Sequence, residues 1–151
     1  MDFQTSVRTC LTKKYMTFQG RASRSEFWWF MLAYIIGAMV VMLVPLLPIL
    51  YALAVFLPLL AVGFRRMQDI GKPGWYFVIP SVYNLALRSF GFGSYELDEA
   101  TGMPTEMPSV GGALFGGLLS IIGIVIAVVF IWWLTRPSQP ETNAYGPPPA
   151  A

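Results

Sequence analysis

The stretch FWWFMLAYIIGAMVVMLVPLLPILYALAVFLPLLAVGF, Phe27–Phe64, holds no charged side chain and is bounded by Glu26 and Arg65. It is too long for one crossing, because a bilayer core about 30 Å thick takes roughly 20 helical residues. Two prolines in Val44–Pro48, VPLLP, fall near its middle and disfavour a continuous helix there. The stretch predicts a hairpin of two membrane helices, Phe27–Val44 and Ile49–Phe64.

The composition agrees. Of 151 residues, 56% are hydrophobic and 12% charged, against about 25% charged in an ordinary soluble domain. Mean hydropathy is +0.59. The charge is missing in long blocks, as in a multi-pass membrane protein. The net charge of +2 is small, and no nucleic-acid partner is expected. Cys10 is the single cysteine, so no intramolecular disulfide can form. The sequence has no histidine, the usual neutral-pH acid–base residue and commonest metal ligand. Neither a metal nor a cofactor is expected.

Met1–Gln19 lacks the apolar core of a secretory signal peptide. Its apolar residues Phe3, Val7, Cys10, Leu11, Tyr15 and Phe18 recur near the helical period, between Arg8, Lys13 and Lys14. Two readings stand open: an amphipathic helix on the membrane surface, or a cytosolic tail with accidental periodicity. In Phe18–Phe30, FQGRASRSEFWWF, Gly20 breaks this segment and Ser23 or Ser25 can cap the next helix, with Glu26 in its first turn. Trp28 and Trp29 suit the headgroup boundary.

After the hairpin, Arg65–Gly74 reads as a short basic loop ending in a Gly/Pro turn. Trp75–Leu87 is short for a span and interrupted by Pro80 and Asn84. It spans only by continuing to Phe92 with Arg88 snorkelling, and a re-entrant helix is the rival reading. Ser94–Ser109 is a polar, acidic loop, and Ala113–Leu134 is a clean final span. The proline-rich Pro137–Ala151 predicts an extended, mobile tail. The organisation expected is an N-terminal segment over 1–19, one membrane domain over 20–136 with spans at about 27–44, 49–64, 75–92 and 113–134, and a tail over 137–151. The fold class is all-α, with four transmembrane helices.

Four spans put Arg8, Lys13, Lys14, Arg21, Arg24, Arg65, Arg66, Lys72 and Arg136 on one face, nine of the ten basic residues. Arg88 falls on the other face with Glu96, Asp98, Glu99 and Glu106. The positive-inside rule then places both termini in the cytoplasm.

A tight hairpin brings Glu26 near Arg65 and Arg66, with Arg21, Arg24, Asp69 and Lys72 at the same boundary. One reading is structural, ion pairs and caps that anchor the hairpin. The other is a binding site for an anionic lipid headgroup, or for a partner protein. In that reading Arg21, Arg24, Arg65 and Arg66 hold the anion, and Glu26 and Asp69 orient them. Gly112, Gly116, Ser120 and Gly123 form a small-residue ridge that admits another helix. That helix comes from the same chain or from a second copy. No catalytic motif is present: no G-x-S-x-G, H-E-x-x-H or Walker loop. Glu26 and Asp69 are flanked by arginines, which favour permanent carboxylate charge. A non-enzymatic protein is expected. A small-solute transporter or its accessory subunit, and a membrane enzyme acting on lipid-like substrates, are the alternatives.

Three blocks carry a family likeness. Phe18–Trp28 is similar to F-x-G-R-A-x-R-x-E-[YF]-W, Arg65–Trp75 to R-R-L-H-D-x-G-x-S-G-W, and Asn143–Pro147 to N-x-[YF]-G-P. In this the sequence resembles the bacterial family of small inner-membrane proteins named only as domain of unknown function 805. Gln68 stands where the pattern has histidine, Met67 where it has leucine and Pro73 where it often has serine. A role needing an imidazole cannot operate at Gln68. The loop Ser94–Ser109 is longer than the usual connection. The resemblance implies a location, the bacterial inner membrane, and no mechanism.

Overall fold

The computed structural model describes residues 1–92, 101 and 109–149. Most of the expected acidic loop, Ser94–Ser109, lies outside the described residues. Among those described the protein is all-α. The helices are α1 (Phe3–Arg8), α2 (Arg24–Val41), α3 (Leu47–Asp69), α4 (Ile79–Ser89) and α5 (Val110–Thr135). A π-helical turn, Thr9–Lys13, follows α1, and a 3-10 turn, Gly74–Val78, precedes α4.

Each boundary has a local cause. Of the two candidate caps for α2 it is Ser23, which has an extended backbone and whose side-chain oxygen accepts the Glu26 N–H at 3.2 Å. The helix therefore begins a turn earlier than its apolar run. It ends at Val41, and Leu46 adopts a left-handed conformation (φ 66°) that turns the chain into α3. Pro48 then sits in the first turn of α3, where a missing N–H is harmless. That helix does not stop at Phe64 but carries Arg65–Asp69 as its last turn, so these residues are helical where a loop was expected.

Pro58 lies inside α3 and cannot donate to the Ala54 carbonyl one turn back. The Tyr15 hydroxyl donates to that carbonyl instead. The N-terminal segment thus repairs a helix defect created by a residue far along the chain.

Among the described residues three helices are long and apolar enough to cross a membrane: Arg24–Val41, Leu47–Asp69 and Val110–Thr135. The third expected span is not a continuous helix. Residues Gly74–Val78 form the 3-10 turn, and α4 has 11 residues, about 16 Å at 1.5 Å per residue.

The distribution of polarity is inverted relative to a soluble protein. The most thoroughly buried side chains include Arg65, Arg66, Glu26 and Asp69, while Ile36, Leu53, Leu114, Ile124 and Val128 are exposed. Charges shielded inside and aliphatic surface outside suit hydrocarbon as the solvent.

The chain forms two compact units, one from Met1–Phe77 with the segment from Trp132 onward, the other Val78–Ile131. In the second unit Tyr83 packs over Gly123, whose added Cβ would lie 3.1 Å from the ring, and its hydroxyl donates to the Leu119 carbonyl. Gly123 is one of the four residues of the small-residue ridge. At Gly116 nothing lies within 4 Å, and Ser120 Oγ bonds back to the Gly116 carbonyl at 2.9 Å.

Candidate functional site: a buried arginine–carboxylate cluster

The last turn of α3 presents Arg65, Arg66 and Asp69, each with 0% exposure. Asp69 bridges two guanidiniums, accepting from Arg21 Nε at 2.9 Å and from Arg66 Nη1 at 2.6 Å. Glu26, in the first turn of α2, pairs with Arg65 Nη1. The Ala22 N–H donates to the Arg65 carbonyl at 3.1 Å, tying the chain before α2 to the end of α3.

Three arginines against two carboxylates leave one positive charge in excess, and backbone carbonyls solvate it. Arg66 Nε and Nη2 donate to the Leu134 carbonyl at 3.1 and 3.0 Å, and Nη2 also reaches the Arg136 carbonyl. These carbonyls lie at the end of α5, where helical acceptors lack intrahelical donors. Arg21 Nη1 donates to the carbonyls of Glu141 (2.7 Å) and Gly146 (3.3 Å), and Nη2 to that of Gln139.

The C-terminal segment is therefore not the free tail expected from its prolines. Asn143 and Gly146 pair across a tight turn, with Gly146 at φ 124°. Asn143 Nδ2 donates to the Gln68 carbonyl at 2.9 Å and to Gln139 Oε1 at 2.8 Å, and its Oδ1 accepts from the Tyr145 N–H. The Gln139 N–H donates to the Asp69 carbonyl at 3.2 Å. The turn presents its carbonyls to Arg21, so the segment is held by guanidinium chemistry.

On the other side of the cluster α1 and the π-turn contribute small polar residues. Ser6 Oγ donates to the Glu26 carbonyl at 2.6 Å, and Cys10 Sγ lies 4.0 Å from Glu26 Oε1. Burial, with the Glu26 carboxylate beside it, pushes the Cys10 thiol up to about 11, against a smaller opposing pull from Arg65. The face of the N-terminal segment that turns inward is Ser6, Thr9 and Cys10, while Phe3 and Leu11 stay exposed. Gln68, in the position where the family pattern has histidine, donates to the Phe18 carbonyl at 3.0 Å.

The four arginines expected to form one anion-binding collar thus divide. Arg21, Arg65 and Arg66 are buried and engaged by protein groups, with Glu26 and Asp69 as their ion-pair partners. Arg24 is exposed and lines an open groove of about 770 Å³. The groove's other walls include Ser23, the cap of α2, with Ser25, Trp28 and Trp29 from that helix, Thr135 from the end of α5 and Ser138 beyond it. Among the described residues no group of His, Cys, Asp and Glu could hold a metal ion.

Sequence reasoning missed Ser6, Gln139 and the role of Cys10. The turn Asn143–Pro147 was legible as a motif, but nothing local says that its backbone is read by Arg21.

The family model for "Protein of unknown function (DUF805)" matches residues 15–147. The chain is 38% identical over 89 residues to inner membrane protein YhaI of Escherichia coli K12, covering 52% of this chain and 75% of the relative. It is 36% identical over 85 residues to inner membrane protein YhaH of the same strain, covering 46% and 70%. No solved structure matches. The blocks that meet in the buried cluster all lie within the matched residues, and the chain belongs to the DUF805 family.

Proposed function

We propose that this chain is a non-enzymatic, four-span protein of the bacterial inner membrane whose cytoplasmic rim binds an anionic lipid headgroup at Arg24. The printed names of the relatives support the inner membrane. The hydrogen bonds of Arg66 support the topology. Arg66 ends α3, and its carbonyl partners Leu134 and Arg136 end α5. Both helix ends therefore share one membrane face. If α3 and α5 both cross, the chain between them must return through the bilayer, and Gly74–Ser89 with its flanks is the segment that does so. This keeps nine of the ten basic residues on one face, with both termini in the cytoplasm.

The observation that carries the binding reading is the division of the arginines. Among the described residues Arg24 alone of the four has no ion pair, and it lines a groove whose walls include serine and threonine. A guanidinium beside serine and threonine hydroxyls at a helix N-terminus suits phosphate oxygens. Trp28 and Trp29, side chains suited to the headgroup boundary, support a lipid as the ligand of this groove. A non-enzymatic role is supported by the engagement of Glu26 and Asp69 in buried ion pairs. The transporter alternative gains little from Asn84, whose amide bonds to the Pro80 carbonyl of its own helix at 2.8 Å.

Native mass spectrometry of the full chain, gently extracted from membranes containing phosphatidylglycerol, tests this reading. Arg24→Gln should retain one fewer anionic lipid, with affinity falling about fivefold for the loss of one cation, at an unchanged melting temperature. Equal lipid retention by variant and wild type would remove Arg24 from the site. A co-purifying protein lost with the variant, in place of lipid, would make the groove a protein-docking site.

A further inference from the structure

Lys72 and Arg136 lie just past the ends of α3 and α5, and the buried cluster uses neither side chain. Their backbone positions are fixed. Gly71, at φ 77°, lets its N–H reach the Gln68 carbonyl at 3.1 Å and the Lys72 N–H reach that of Met67 at 3.0 Å. Lys72 Nζ then sits 4.4 Å from the Trp133 ring centroid and 5.7 Å from that of Tyr76. Those two rings stack on each other at 5.5 Å. The Arg136 guanidinium lies 4.8 Å over the Trp132 ring.

The bland explanation is that these cations complement the helix C-termini. The carbonyls there already have donors. Leu134 and Arg136 accept from Arg66, Gln68 accepts from Gly71 and Asn143, and Met67 accepts from the Lys72 backbone. An aromatic face orients a cation without neutralising its charge. Lys72, Arg136 and the Ser138 hydroxyl all line one cavity of about 250 Å³, whose walls carry no carboxylate. Neither cation has an ion pair among the described residues.

We propose that Lys72, Arg136 and Ser138 form a second phosphate site, beside the Arg24 groove, which it meets at Ser138. Two cations and a hydroxyl offer donors to the oxygens of one phosphate. At about 30 Å³ per water, the cavity has room for that group with part of its hydration. The rings against which the two cations lie, Trp132, Trp133 and Tyr76, belong at the headgroup boundary, so the phosphate is the phosphodiester of an anionic lipid. Free inorganic phosphate shares the chemistry and is the source to be distinguished.

The test counts lipids on the full chain by native mass spectrometry in nanodiscs containing phosphatidylglycerol. Its variants are Arg24→Gln, Arg136→Gln and Lys72→Gln/Arg136→Gln. Wild type should retain two anionic lipids, and Arg24→Gln should lose one while keeping the other. The double variant should lose the second, its affinity falling roughly 30-fold for two cations. Arg136→Gln, at an exposed position, is the control for folding and should weaken the site alone. A double variant that keeps the second lipid would overturn the proposal. So would displacement of that lipid by millimolar inorganic phosphate, which would assign the site to the free anion. Loss confined to Arg24→Gln would leave only the groove. Loss confined to the Lys72/Arg136 variants would leave only the second site.

Discussion

Replacing Asp69 by Asn keeps the side-chain volume and removes one charge, which makes it a direct probe of the buried cluster. Asp69 has 0% exposure and holds Arg21 at 2.9 Å and Arg66 at 2.6 Å. Removing one partner of a buried pair costs about 3–5 kcal/mol, because the surviving charge stays desolvated. Here two guanidiniums survive, and Glu26 is already committed to Arg65, so the loss should lie in the upper half of that range. Against a total stability of about 5–15 kcal/mol this is a large fraction. The loss should also have a location. Arg21 fixes Gln139, Glu141 and Gly146 through their carbonyls, so its displacement should release the C-terminal segment first. The assay is thermal unfolding in nanodiscs with cleavage after Glu141 by a glutamate-specific protease. Asp69→Asn should be cut faster at temperatures where the helices remain folded. Glu26→Gln should lower stability comparably while leaving the cleavage rate near that of wild type, since Glu26 pairs with Arg65 and not with Arg21, which holds that segment. An Asp69→Asn variant within about 1 kcal/mol of wild type, with its C-terminal segment equally protected, would refute the idea that this carboxylate holds the cluster together.

Two further outcomes follow from single atoms. Tyr15→Phe removes the donor to the carbonyl that Pro58 leaves open at Ala54, and should lower stability by about 1–3 kcal/mol. A Pro58→Ala/Tyr15→Phe double variant, which restores the helical N–H, should recover most of the loss. The Cys10 thiol, raised to about 11, should resist alkylation in the folded protein at pH 8, with a rate that climbs as pH approaches 11. Denaturation should abolish the protection, and rapid modification of the native protein at pH 8 would show that the thiol is not buried beside Glu26.

Much of the membrane architecture is local. The uncharged run Phe27–Phe64, the prolines at its centre and the apolar run of α5 each act through periodicity, length and backbone chemistry within a few residues. Proximity of Glu26 to Arg65 also follows from hairpin geometry alone, and the pair forms. Of the small-residue ridge, Gly123 lies against Tyr83, while Gly116 has nothing within 4 Å. The third apolar block was harder to read because hydropathy reports burial and not continuity. Pro80 in the first turn of α4 and the 3-10 turn before it leave α4 at 11 residues.

What the sequence by itself determined is where apolar surface must be hidden from water and where helices start and stop, since those depend on neighbouring residues. The use to which the arginines are put was decided by tertiary structure. Arg21, Arg24, Arg65 and Arg66 are alike in composition and lie at the same boundary. Arg21 and Arg66 became buried because carbonyls from Leu134 to Gly146 and the Asp69 carboxylate come within hydrogen-bonding distance of them, and Arg65 because Glu26 faces it. A guanidinium is tolerated inside only where carboxylates and carbonyls converge to replace its water. That convergence joins residues more than a hundred positions apart, and no local pattern encodes it. Arg24 meets no such set and stays exposed at its groove.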